Sequence, residues 1–137
     1  ILIVGIIIGC NSSSRTINAT QTENQETLKD TVRIANDDIE YEIIIIEPGF
    51  NNWLQSVARP EGYYTQTFLE SRNLLLVREW NLRVNQPQRF NPDLYQMRID
   101  YNPGIDYGYE VNYKLYNYFI FFQLRYKQQL SNFVPRI

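Results

Sequence analysis

The residues able to do chemistry are few, and the missing ones narrow the field first. The 137-residue chain contains no histidine, so it lacks the usual general base near neutral pH and the usual neutral metal ligand. Its one cysteine, Cys10, leaves no internal disulfide and no paired-thiol zinc or redox site. No metal and no cofactor are expected. Carboxylates remain. Glu47, Asp100, Asp106 and Glu110 stand near the ends of expected strands and turns. A glycoside hydrolase needs two acids roughly 5–9.5 Å apart, and Glu47 and Asp100 could meet if their strands are neighbours. Acids at strand ends occur in any small α+β domain. The chain is therefore read as a non-enzyme with no catalytic residue assigned, and a carboxylate-based glycan hydrolase is the alternative.

A second constellation lies on a helix. Arg72, Glu79 and Arg83 follow one another at spacings of seven and four, between two apolar arcs. They read either as a structural ion-pair stripe or as a recessed polar groove. Eleven tyrosines and seven phenylalanines offer large faces with polar tips. They suit a core, or a carbohydrate or peptidoglycan surface that stacks sugar rings. Net charge is −2, and acids and bases are interspersed, so no basic stripe recommends nucleic acid as a partner. Asn102-Pro103-Gly104 with Gly108 fits neither nucleotide-loop spacing and reads as turn and cap.

The elements that must position these residues follow from periodicity. Asp30–Ala35 alternates as a short strand. Asn36-Asp37-Asp38 is a turn. Ile39–Glu47 begins by alternating and ends continuously β-branched, which suits a strand covered on both faces. Phe50, Trp53, Leu54 and Val57 mark one face of a short helix. A long helix is expected from Gln66 to Asn85, with Thr67 and Glu70 as its capping box and Asn81 on its wet side. Leu94–Tyr101 can form another strand against Ile39–Glu47. A final helix from Tyr107 to Leu130, capped by Asp106, is apolar over most of its circumference. It is expected to pack on the sheet and on the first long helix. Phe121 intrudes on its polar stripe and is the residue expected to meet a partner. The result is an α+β domain over residues 31–132. A small antiparallel sheet of two to three strands is covered by two long helices and one short one, with residues 133–137 as a tail.

The N-terminus carries the location. Ile1–Cys10 (ILIVGIIIGC) is unbroken apolar sequence ending in Gly9-Cys10. It is shorter than the roughly 20 residues a bilayer span takes, and a polar tract follows directly. It reads as the end of a signal peptide (residues 1–9) clipped at its start, with Cys10 bearing the lipid. Asn11–Lys29 is rich in Ser, Thr, Asn and Gln and cannot bury enough surface to offset its ordering entropy. Residues 10–30 are thus a lipidated cysteine and tether, with a reach of roughly 25 Å.

Glu40–Phe50 (EYEIIIIEPGF), Arg59–Tyr64 (RPEGYY), Arg89–Pro92 (RFNP) and Ile99–Phe119 resemble a family of small uncharacterised Bacteroidota lipoproteins, a domain-of-unknown-function group. The resemblance implies a lipidated cysteine and a compact α+β domain, and it carries over no catalytic residues. Asp30-Thr31-Val32 resembles the short O-glycosylation acceptor of Bacteroidota envelopes, with Thr31 as acceptor. The tract after Cys10 lacks the acidic signal that many lipoproteins of that phylum use to reach the surface. The expectation is an outer-membrane protein, anchored by lipid and facing the periplasm. It would act as a binding or scaffolding module with an envelope protein partner.

Overall fold

The computed structural model describes residues 29–137. Cys10, the expected signal peptide and most of the expected tether lie outside that range. The chain forms a two-stranded antiparallel sheet and three helices. Strand β1 (Thr31–Asn36) and strand β2 (Tyr41–Ile46) are joined by a 3-10 turn, Asp37–Ile39. Asn36 caps that turn by accepting from Asp38 N. Glu40 leaves it in the left-handed region, at φ 54°. Helix α1 (Phe50–Ser56) follows the Pro48-Gly49 break, with Gly49 at φ 86°. A side chain there would be strained by the backbone conformation alone, since a Cβ would meet Arg125 and Phe121 at ordinary contact distances.

Helix α2 (Gln66–Val84) is capped by the Thr65 side chain, which accepts from Phe68 N at 3.2 Å. The expected box began two residues later, at Thr67. Helix α3 (Gly108–Tyr126) is the centre of the molecule. It contacts α2, β1 and α1. Twelve of its residues are buried, including Leu115, Phe119 and Phe122. Asp106 caps it from outside, its Oδ1 accepting from Gly108 N at 2.9 Å. Lys127 ends it in the left-handed region, at φ 51°. Burying this aromatic helix between α2 and the sheet removes its apolar surface from water, at about 25 cal/mol per Å².

Three polar residues of the long helices are used inside, among them Asn81, expected on the wet side. Asn117 is buried and donates to Tyr113 O at 2.8 Å. Buried Gln123 accepts from Leu130 N at 2.8 Å and locks the chain after α3. Asn81 is half-buried and grips the chain at Ile99. Conversely Leu75 and Leu82, expected in an apolar arc of α2, are 45% and 46% exposed.

Leu94–Tyr101 is not a strand. α2 takes the backbone groups that a ladder would have used. Trp80 Nε1 donates to Met97 O at 2.8 Å. The Asn81 amide both donates to Ile99 O and accepts from Ile99 N, at 2.8 Å each. Tyr41 Oη donates to Asp100 O at 2.6 Å. The segment is held beside the sheet without joining it.

Candidate functional site: the open edge of the sheet

The ladder has a definite phase. β1 and β2 pair in register from Thr31↔Ile46 to Asn36↔Tyr41, and Glu47 N donates to Asp30 O at 2.9 Å. Directly opposed residues that exchange bonds alternate with those that do not. Val32/Ile45, Ile34/Ile43 and Asn36/Tyr41 therefore bond inward. Thr31, Arg33 and Ala35 present their backbone groups to the outer edge of β1. Glu42, Ile44 and Ile46 present theirs to the outer edge of β2.

The two edges are finished differently. Asn51 Nδ2, on α1, donates to Thr31 O at 2.8 Å, and Lys114 Nζ, on α3, reaches Arg33 O at 3.5 Å. Among the described residues nothing bonds the outward backbone of Glu42, Ile44 or Ile46. Their side chains lie on the open face, where Ile44 is 40% and Ile46 59% exposed. β2 was expected to be covered on both faces; only the face of Ile43 and Ile45 is.

Beyond this bare edge lies a slot of about 330 Å³. β2 forms one wall and residues 93–99 the other, with Trp80, Tyr118 and Phe122 in the floor. Trp80 packs edge-on against Phe122 at 4.8 Å. The Tyr118 hydroxyl lines the slot and has no hydrogen-bond partner among the described residues. Burial, and next the Glu47 charge, push its pKa well up, so it is a neutral donor. Glu47, at the end of β2, is buried and accepts from Tyr126 Oη at 2.7 Å, with Arg125 at 3.8 Å. The slot thus offers alternating backbone donors and acceptors, an aromatic floor, a free hydroxyl and a buried carboxylate. β-strand addition uses surfaces that combine an open sheet edge with pockets for alternate side chains.

The expected acids are distributed among separate partners. Glu47 joins the slot. Asp100 is exposed and accepts from Asn102 at 2.9 Å. Asp106 accepts from Gly108 N and from Gln66 at 2.8 Å. Glu110 lies 3.6 Å from Lys114. The carboxyl pair that does form is Glu61 with Glu110, whose hydrogen bond raises the pKa of Glu61 at an exposed loop.

The helical triad is divided as well. Arg83 Nε meets Glu79 at 2.9 Å, and its other nitrogens reach Tyr95 Oη and Gln129 O at 2.7 Å each. That pair ties α2 to the chain after α3. Arg72 is not with them; its guanidinium lies between the rings of Phe68 and Phe133. Phe121, expected at an exposed contact, is 7% exposed because α1 covers it: Phe50 and Trp53 meet it edge-on at 5.6 and 5.4 Å. Thr31 opens β1, half-buried. Five of the eleven tyrosines are buried, five are half-buried and only Tyr63 is exposed, so no fully solvent-facing row of them forms.

Sequence reasoning missed the interior network of Asn73, Asn112 and Tyr101. Asn73 Nδ2 donates to Asn112 O and Oδ1 at 3.0 and 3.1 Å, and Tyr101 Oη donates to Asn112 Oδ1 at 2.7 Å. These asparagines interrupt apolar arcs of two helices, which was the available signal. Among the described residues no helix is long and apolar enough to cross a membrane, and no three His, Cys, Asp or Glu residues stand together as a metal site would need.

Comparison with known proteins places the sequence without naming a reaction. No curated protein and no solved structure matches the chain. One family model matches residues 1–135, nearly the whole chain. By that match the chain belongs to the family of unknown function DUF6146.

Proposed function

We propose that this chain is a lipid-anchored envelope protein that binds an extended segment of a protein partner in the slot beside β2. One observation carries the binding reading: the backbone of Glu42, Ile44 and Ile46 is bare on the slot side, while on the opposite edge of the same sheet Asn51 and Lys114 reach the carbonyls of Thr31 and Arg33. An uncovered strand edge favours pairing with another chain, and here it faces a floor shaped for alternate side chains. A single strand fits better than a second copy of this chain. The copy's own β1 would follow its β2 outward, where residues 93–99 already stand. The occupant is therefore extended, with apolar residues at alternate positions facing Trp80 and Phe122.

The anchor rests on Ile1–Cys10 and the polar tract behind it. Acyl chains on Cys10 hold the protein at about 0.8 kcal/mol per buried CH₂. The acid-free tract after the cysteine favours the periplasmic face of the outer membrane. A tether of about 20 residues raises the local concentration of a weak strand-binding site near its partner.

The test uses proline as a selective plug. Ile44→Pro removes an outward N–H and leaves the β1–β2 bonds in place. Ile43→Pro removes an inward N–H and damages the fold. In cells, a photo-crosslinker at Ile46 or Met97 is expected to capture the same protein partner, and Ile44→Pro to abolish that adduct. Capture that survives Ile44→Pro, or recovery of this chain alone, overturns the binding reading. The anchor is tested apart: Cys10→Ala is expected to release the chain from membranes or leave it unprocessed, and unchanged membrane association refutes it.

A further inference from the structure

A second cavity, on the other side of α2, carries an independent inference. It measures about 440 Å³ and lies between α2, α3 and the C-terminal residues 131–136. Its lining includes Tyr64, Phe68, Tyr116 and Phe133 together with Arg72 and Arg136. No acid lines it, although the chain as a whole carries a net charge of −2.

Arg72 is the centre of this cavity. Its guanidinium lies 3.2 Å from the Phe133 ring centroid and 5.1 Å from that of Phe68. Among the described residues it makes no ion pair and no hydrogen bond. Arg83 and Arg125 differ in this respect: Arg83 meets Glu79, and Arg125 approaches Glu47. The contacts with Phe68 and Phe133 use none of the Arg72 N–H groups, and a planar anion can take two of them at once. Tyr116 stays neutral, its pKa raised to about 12 by burial and next by Tyr64. Tyr64 and Phe68 stack at 4.6 Å with 10° between their planes, and Arg72 also lies over the Phe68 ring, so Tyr64 and Tyr116 are the rings left to meet a ligand.

We infer that this cavity binds a small carboxylate whose body is a ring. The volume accommodates one ring, since ligand cavities begin at about 300 Å³. The unpaired Arg72 guanidinium suits a carboxylate, and the Tyr64 and Tyr116 rings in the lining suit a ring-shaped body. Two sources share this chemistry: a peptide ending in an aromatic residue with a free carboxylate, and a sugar acid. Neither depends on the slot beside β2.

The experiment uses the full chain in detergent micelles, with micelles alone as control. Binding of 4-fluorobenzoate and 4-fluorobenzamide is read by ligand-observed fluorine NMR. The carboxylate is expected to bind at least tenfold more tightly than the amide. Arg72→Met is expected to remove that preference. Arg72→Lys, which keeps the charge but loses the fork, is expected to weaken the carboxylate at least fivefold, and it decides the matter if the Met variant loosens the tail. Displacement by N-acetylphenylalanine supports the site and assigns it to a peptide terminus; displacement by glucuronate supports it and assigns it to a sugar acid. Equal binding of acid and amide, or an unchanged preference in both Arg72 variants, overturns the inference.

Discussion

β1 and β2 bond to each other over the same six positions, yet their outer edges meet opposite fates. Beyond β1 stand α1 and α3, whose Asn51 and Lys114 side chains reach the outward carbonyls of Thr31 and Arg33. Beyond β2 stands residue stretch 93–99, which is bound to Trp80 and Asn81, with Tyr41 holding the next residue, Asp100, and which leaves the strand's backbone bare. Edge protection here is a property of the neighbours rather than of the strand. β2 is the more apolar of the two and would gain more from cover. Its neighbour is instead fastened away from it by donors from α2, with the slot of about 330 Å³ between them.

The largest test of this contrast compares the apolar packing on the two sides. Phe50 is fully buried beside β1 and meets Tyr118 and Phe121 edge-on at 5.6 Å. Phe50→Ala is expected to cost about 3–5 kcal/mol. Ile46, 59% exposed on the open side, is expected to tolerate Ala within about 0.5 kcal/mol. Urea unfolding of both variants measures the difference. A cost at Ile46 near that at Phe50 would mean that the edge is covered after all.

A smaller effect probes the capped edge directly. Asn51 Nδ2 donates to Thr31 O at 2.8 Å and to Lys29 O at 3.1 Å. Asn51→Ala is expected to cost about 1–2 kcal/mol and to speed amide exchange at the start of β1 without affecting β2. Equal acceleration in both strands would mean that the sheet opens as a unit and that the two edges are not independently held.

The same contrast explains what could be read from the chain. β1, β2 and the three helices were legible because their apolar spacing follows the period of the element, as with Phe50, Trp53 and Leu54. The bare edge was not. A run such as Ile43–Ile46 has the same composition whether one face or two are covered, so the exposure of Ile44 and Ile46 depends on where residues 93–99 settle. That settling depends on Trp80 and Asn81, which as letters in a helix give no sign that they hold a distant backbone. Asn81 looked like wet-face filler and Leu94–Tyr101 looked like a strand; each was misread because the other was its partner. Arg72 was singled out by its spacing to Glu79, but the aromatic sandwich that isolates it comes from Phe133, in the tail left outside the domain.

The subtlest test loosens the far wall of the slot and uses pH to read it. Tyr41 Oη holds Asp100 O at 2.6 Å, and its ring meets Tyr107 at 4.4 Å. Asp100 is exposed, so water can replace the lost donor, and Tyr41→Phe is expected to cost only about 0.5–1.5 kcal/mol. Burial, and next Tyr107, raise the Tyr41 pKa strongly; burial, and next Glu70, raise that of Tyr101 to about 12. A hydroxyl whose folded pKa lies above its unfolded value near 10 favours the folded state fully below about pH 10. That contribution is lost as pH rises through the folded pKa, because the folded state then binds more protons than the unfolded one. Stability is therefore expected to fall on alkaline titration above about pH 10, and less steeply in Tyr41→Phe, measured by urea midpoints across that range. If the slope is unchanged in the variant, Tyr41 ionises as freely folded as unfolded. Its hydroxyl is then not committed to Asp100, and the far wall of the slot is held by Trp80 and Asn81 alone.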